Sequence, residues 1–183
     1  LRSSEDAFVD DLVCQGIKFG APFLKAVMPR AYVDLNRGSD ELDPALISGI
    51  VSRSKNNRIS YGLGVIPRVV GNGKEIYKGK ISQAEAEIRI LNYWRPYHLV
   101  LKKLMTETHK KFGTAILIDC HSMPTLPNYS GPKQLQKMPD IILGDRFGGS
   151  ADRDIVDKIE SIFVREGFSV GRNVPFSGAF ITK

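Results

Sequence analysis

One short apolar run in this sequence ends in a cluster of reactive residue types. Thr114-Ala115-Ile116-Leu117-Ile118 passes directly into Asp119-Cys120-His121-Ser122. A buried strand that ends this way delivers polar groups to its carboxyl edge, where open α/β sheets bind their ligands. An imidazole there can ligate a metal while a nearby carboxylate orients it. On that reading His121 is the ligand and Asp119 the orienting group. A histidine that merely ends a strand through a hydrogen bond explains the segment equally well. Cys120 adjoins His121, but strand neighbours point to opposite faces, which argues against a Cys–His dyad and makes Cys120 a core residue.

Other candidates fall at similar strand-to-loop transitions. Arg37 closes Tyr32-Val33-Asp34-Leu35-Asn36-Arg37 just before Gly38 and Ser39. Its fork of donors is placed to clamp a carboxylate, although a surface salt bridge is the commoner use of such spacing. Arg146 in Gly144-Asp145-Arg146-Phe147-Gly148 and Arg68 after Ile66-Pro67 are further candidates for gripping an anion. The acids of Ser4-Glu5-Asp6-Ala7-Phe8-Val9-Asp10 suit a first helical turn, which the helix dipole favours without any further role. His98, in Trp94-Arg95-Pro96-Tyr97-His98, reads as half-buried and hydrogen-bonded, and His109, beside Lys110 and Lys111, as solvated.

The elements that must position these groups follow from periodicity. Residues 5–15 read as a helix capped by Ser4, with Phe8, Val9, Leu12 and Val13 as its apolar stripe and Gly16 and Gly20 at its end. Residues 23–35 read as extended around Pro29, and Tyr61–Val70 as a strand running into a loop at residues 71–73. Ser82 and Glu85 make a capping box for a long helix carrying Ile88, Leu91, Leu99, Leu101 and Leu104, which Pro96 should kink or split. Thr114–Ile118 reads as a strand buried on both faces, 123–139 as a loop, and Asp140–Leu143 as another buried strand. Residues 151–166 read as a helix with Ile155, Val156, Ile159 and Ile162 on one side, and Phe168–Val170 as the start of a last strand. Strands alternating with helices imply an α/β fold with a largely parallel sheet.

Composition narrows the function classes. With 183 residues, 42% hydrophobic and 25% charged, the chain suits one soluble domain with a real core. No apolar run approaches the roughly 18 residues of a membrane helix, and Leu1–Asp6 has no signal-peptide pattern. Two cysteines, Cys14 and Cys120, are too few for a disulfide framework and fit reduced thiols in the cytoplasm. The net charge of +6 is spread along the chain, densest at Lys102-Lys103 and Lys110-Lys111 on a solvated helix face. Without basic and aromatic residues interleaved, nucleic-acid binding is a minor reading.

Taken together and in order, the segments from Glu5-Asp6 to Asp10, Tyr32–Arg37, Gly64–Arg68, Tyr93–His98, Asp119–Ser122, Leu143–Gly148 and Gly178–Thr182 resemble the N-formylglutamate amidohydrolase family. That family is similar to zinc carboxypeptidases, whose Asn-Arg pair and His-Ser pair match Asn36-Arg37 and His121-Ser122. The resemblance implies a three-layer α/β/α sandwich with a mostly parallel, mixed central sheet, of the phosphorylase/hydrolase-like and carboxypeptidase-like kind. It implies a single zinc amidohydrolase domain over 1–183, with Asp6 and His121 as metal ligands and Glu5 as the less favoured neighbour. Asn36, Arg37, Arg68, Ser122 and Arg146 become substrate-binding residues, and Asp119 orients His121. The implied reaction is hydrolysis of N-formyl-L-glutamate to formate and glutamate, as in histidine degradation, by a zinc-activated water. The family's first ligand lies in a segment before Leu1 and its general base in one after Lys183, so the domain is expected to be incomplete at both ends. An inactive anion-binding domain of the same fold, or an amidase for another acyl-amino acid or a cell-wall amide, remains the alternative. The implied partner is a small anionic acyl-amino acid, with neither nucleic acid nor membrane.

Overall fold

The computed structural model describes residues 4–51, 57–70, 73–123 and 138–182. The chain forms two compact units, residues 1–122 and 123–183. The expected loop at 123–139 and the turn at Gly71 and Asn72 lie largely outside the described residues.

The first unit builds its core from loops laid under one long helical segment. Val33, Leu46, Ile47, Val65, Ile66, Ile81 and Ala86 make the buried cluster, with Tyr32, Leu35, Tyr77, Ile90, Tyr93 and Trp94 packed against it. Among the described residues, backbone hydrogen bonds and isolated bridges such as Ile47 with Ile81, rather than a sheet, hold the loops together. Asp34 N–H donates to the Val65 carbonyl at 2.7 Å, Val65 N–H to Glu41 at 2.8 Å, and Ile81 N–H to Leu46 at 3.0 Å. Gly64 is required by this crossing, because a Cβ on it would lie 2.5 Å from the Glu41 carbonyl oxygen. The strands expected within 23–35 and 61–70 are therefore turns and irregular chain, with Val69 only bridging Glu75. Their apolar residues are buried by contact rather than by a ladder, which alternation alone cannot distinguish.

The N-terminal helix is shorter than expected. α1 spans Val9–Val13 and continues as a 3-10 helix over Cys14–Phe19, ended by Gly20 at φ 82°. Phe8, not Ser4, stands at its N-cap, in a left-handed conformation and without a side-chain cap. Its intended stripe does not face a core, since Phe8 and Leu12 are exposed. Asp6 thus lies ahead of the helix and is released from dipole duty. α2 is the single turn Asn57–Ser60.

The long helical segment starts as expected. Ser82 caps α3 (Gln83–Arg89) by accepting the Glu85 N–H at 3.1 Å, a contact of about 1 kcal/mol. Pro96 then splits the segment. A π-helical stretch, Ile90–Trp94, precedes α4 (Arg95–Phe112), whose first turn holds the proline. A π stretch accommodates the N–H that proline lacks and the bulk of its ring. The inward face also differs from the expected leucine stripe. Ile88, Leu91 and Leu99 are exposed and only Leu101 and Leu104 of the stripe are half-buried, while Ala86, Arg89, Ile90, Tyr93, Trp94, Tyr97 and His98 turn inward. Arg89 is buried between aromatic rings, its guanidinium 4.2 Å from the Tyr32 ring centre and 5.6 Å from that of Tyr77.

Thr114–Ile118 is the clearest departure. It belongs to no strand among the described residues, and Ile116 and Ile118 are 53% and 67% exposed. A two-face apolar run becomes a buried strand only when neighbouring strands and covering helices are supplied.

The second unit is a βαβ motif. β1 (Ile141–Leu143) and β2 (Val170–Arg172) pair in parallel, with Ile141 opposite Val170 and Leu143 opposite Arg172, and α5 (Arg153–Arg165) connects them. α5 buries Val156 and half-buries Ile155 and Ile159, but Ile162 points outward and Phe163 takes the inner position against Phe168. The chain is thus mixed helix and strand with a parallel sheet.

Candidate active site around His121

Residues distant in sequence meet at His121. Its Nδ1 lies 2.9 Å from Asp6 Oδ2, and its Nε2 lies 3.0 Å from Asp119 Oδ2. Ser122 donates to the other Asp6 oxygen twice, through its backbone N–H at 2.8 Å and its hydroxyl at 2.9 Å. Asn36 donates from Nδ2 to Asp119 Oδ2 at 2.9 Å, and the same nitrogen stands 3.0 Å from His121 Nε2. In the imidazolium form both ring N–H groups point at carboxylates. In the neutral form protonated on Nδ1, Nε2 accepts from Asn36.

The electrostatics follow from this arrangement. Hydrogen bonds from His121 to Asp119 and Asp6 outweigh the burial that opposes its charge, pushing the imidazole up to about 9. Burial works against ionisation of Asp6, yet the hydrogen bond and charge of His121, with the two Ser122 bonds, bring its carboxyl down to about 2. The result is a tightly held ion pair at the surface of the first unit. Cys120 is half-buried, and burial followed by the Asp119 charge raises its thiol. That makes it a poor nucleophile, consistent with its assignment as a packing residue.

A turn presents Asn36 and Arg37. Asp34 is buried, accepts the Asn36 backbone N–H at 2.9 Å, and pairs with Arg30 Nε at 3.0 Å. Arg37 Nε stands 3.8 Å from the same Asp34 oxygen and donates to the Leu63 carbonyl at 3.2 Å. Burial lowers Arg37, Asp34 opposes this, and the charges of Arg58 and Arg30 lower it further. Arg30 also reaches Asp6, with Nη1 3.7 Å from Oδ2. Arg30 and Arg37 thus both pair with Asp34, and the charge of Arg58 is felt at Arg37.

The remaining candidates have other partners. Arg68 donates to the buried Asp43 at 3.0 Å. Arg146 belongs to the second unit, where it adopts φ 55° and donates its N–H to the Ser177 carbonyl at 2.8 Å. Beside it, Asn173 accepts the Asp145 and Phe147 N–H groups. His98 is half-buried and donates Nε2–H to the Leu35 carbonyl at 2.9 Å, and His109 is exposed, both as expected. A trough of about 540 Å³ lined by Met105, His109 and Thr114 among others contains no carboxylate and shares no residue with the cluster.

Sequence reasoning missed Arg30 and Asp34. The Asp-x-Asn pattern was the available signal, because an aspartate side chain often bonds the backbone two residues on. Nothing local marks Arg30, whose partners come from the folded turn and from Asp6.

Comparison with known proteins agrees with this picture. The family model described as N-formylglutamate amidohydrolase matches residues 1–183. The N-formylglutamate deformylase of Pseudomonas aeruginosa is 31% identical over 91% of this chain and 58% of its own length. That of Pseudomonas putida is 30% identical over 90% of this chain and 57% of its own length. The chain thus spans somewhat over half of these relatives. The crystal structure of N-formylglutamate amidohydrolase from Ralstonia eutropha JMP134 superposes with a TM-score of 0.89, covering 99% of this chain and 66% of that one at 31% identity. A match along all 183 residues, with relatives of the same description at this identity, places the chain in the N-formylglutamate amidohydrolase family.

Proposed function

We propose that this chain forms the larger part of a zinc-dependent amidohydrolase that cleaves N-formyl-L-glutamate to formate and glutamate. The observation that carries the reading is the placement of a carboxylate at each nitrogen of His121. Asp6 at Nδ1 provides an oxygen donor beside a nitrogen donor, a set that suits zinc. Asp119 at Nε2 is the carboxylate that fixes ring orientation and raises basicity. Among the described residues no group of three His, Cys, Asp or Glu side chains is placed to hold an ion. Asp6 and His121 would therefore supply two of the three protein donors such a site needs. On this reading the third donor and the general base come from the portion of the relatives' length that this chain does not span.

When bound, zinc supplies Lewis acidity to the amide carbonyl and to water. This chain's residues supply the rest. Ser122 and Arg30 hold the Asp6 carboxylate in place. Asn36 keeps Asp119 against the imidazole, and Arg37 binds a substrate carboxylate. Arg68, paired with Asp43 as Arg37 is with Asp34, and, within the second unit, Arg146 are the further residues we assign to anion binding. We assign the whole domain to a three-layer α/β/α sandwich, and the cytoplasm, where its free thiols stay reduced, as its compartment.

Arg30 and Arg37, both beside Asp34, fit one alternative, an anion-binding domain of the same fold without the chemistry. Zinc content, formate release and binding of N-formyl-L-glutamate separate the two. Near-stoichiometric zinc that disappears in His121→Ala, with formate release abolished by chelator, is the expected result. Protein that takes up no zinc when offered it, yet still binds N-formyl-L-glutamate, would replace the hydrolase by the binding domain. Protein that binds neither refutes both.

A further inference from the structure

The motif Tyr93–His98 has no place in the chemistry above, yet its rings reach the turn that carries Asn36 and Arg37. The Trp94 indole donates Nε1–H to the Arg37 carbonyl at 2.8 Å. His98 donates Nε2–H to the Leu35 carbonyl at 2.9 Å. The two carbonyls flank Asn36 on either side. Trp94 and His98 are four residues apart, so they occupy one helix face about one turn apart. Their rings stack, with centroids 4.0 Å apart and planes at 35°, and Tyr97 meets His98 edge-on at 5.4 Å. Trp94 is the last residue of the π-helical stretch, and Pro96 follows in the first turn of α4. Such a stretch shifts the register of a helix face and often occurs at functional sites.

We propose that Trp94 and His98 are positioning residues: together they clasp the backbone on both sides of Asn36, fixing its amide against Asp119 and His121 and presenting Arg37 to the substrate. The two ring donors act on the backbone of this turn. The α3–α4 segment thereby adds two hydrogen bonds to a turn that Asp34 and the Arg37 contact with the Leu63 carbonyl also hold. Both ring donors meet carbonyls in a partly buried setting, where losing the donor leaves an acceptor without its partner. The part of this inference that concerns ligand rests on the proposed function, and the clasp does not.

Amide hydrogen exchange and ligand binding, measured on the same chelated protein, test the two separately. The variants are Trp94→Phe, His98→Phe and His98→Gln, the last because a glutamine amide can still donate to Leu35. In Trp94→Phe and His98→Phe, the Asn36 and Arg37 amides should exchange about five- to tenfold faster, the size of one hydrogen bond. The core amides of Val65 and Ile66 serve as controls and should keep their wild-type rates, and His98→Gln should retain protection. Calorimetric titration with N-formyl-L-glutamate should show the same two variants binding about five- to tenfold more weakly. Unchanged Asn36 and Arg37 exchange in the folded variants overturns the clasp, as does equal acceleration of the core amides. If wild type binds no N-formyl-L-glutamate while the local exchange effects appear, the functional assignment fails and the clasp stands.

Discussion

Replacing Asp34 by asparagine keeps the shape of the turn and removes its charge. The carboxylate is 7% exposed and serves the Asn36 N–H, Arg30 and Arg37 at once. Asparagine can still accept from the Asn36 N–H, so the turn itself should survive. Arg37 is the costly partner, because its side chain is 9% exposed and its Nε lies 3.8 Å from Asp34. A charge pair at that distance is worth about 4 kcal/mol at an effective dielectric of about 20, and breaking a buried pair costs about 3–5 kcal/mol. Arg30 adds little, since its side chain is 35% exposed and solvent screens it. The Leu63 and Asn36 carbonyls continue to hold Arg37, which offsets part of the loss. A net destabilisation of about 3 kcal/mol follows. Urea titration followed by tryptophan fluorescence measures it, because Trp94 is the sole tryptophan and lies in the first unit. The midpoint should fall by about 1.5 M at a slope of about 2 kcal/mol/M, with the slope unchanged. Asp10→Asn, which breaks only the exposed pair with Lys25, is the control and should leave the midpoint in place. A loss below about 1 kcal/mol for Asp34→Asn would refute the claim that Asp34 anchors the arginines.

Two further outcomes are expected. Burial lowers His98 below its ordinary value, so between that folded value and about 6.5 the unfolded chain binds more protons. Stability from this group is complete above about pH 6.5 and is lost as pH falls through the folded value; urea midpoints between pH 5 and about 6.5 should show the slope, and His98→Gln should flatten it. Gly64→Ala places a methyl 2.5 Å from a backbone carbonyl that already accepts the Val65 N–H at 2.8 Å. The crossing must open, at about 2–4 kcal/mol, and an alanine variant as stable as wild type by thermal unfolding would contradict the packing described.

Local chemistry made several features legible in the sequence. Ser82 and Glu85 mark a helix start because the cap is formed by neighbours in the chain. The βαβ pattern of the second unit shows in its alternation of apolar runs and a helical stripe. The half-buried state of His98 follows from the aromatic residues beside it. The ordered motifs also pointed to the family, which the match over residues 1–183 bears out.

Other features depend on parts of the chain that only folding brings together. The strands expected in 23–35 and 61–70 are irregular because their amides bond across loops, as Asp34 does to Val65. Thr114–Ile118 has the sequence of a central strand, but burial depends on neighbours that a segment cannot supply for itself. The sequence by itself determined which residue types were available to His121: an acid two positions before it, a serine after it, and an Asn-Arg pair elsewhere. Only tertiary structure decided that Asp6, more than a hundred residues away, faces Nδ1 while Asp119 faces Nε2. Ring orientation is set by the hydrogen bonds at both nitrogens, and one of those partners is fixed by the fold rather than by the neighbouring chain.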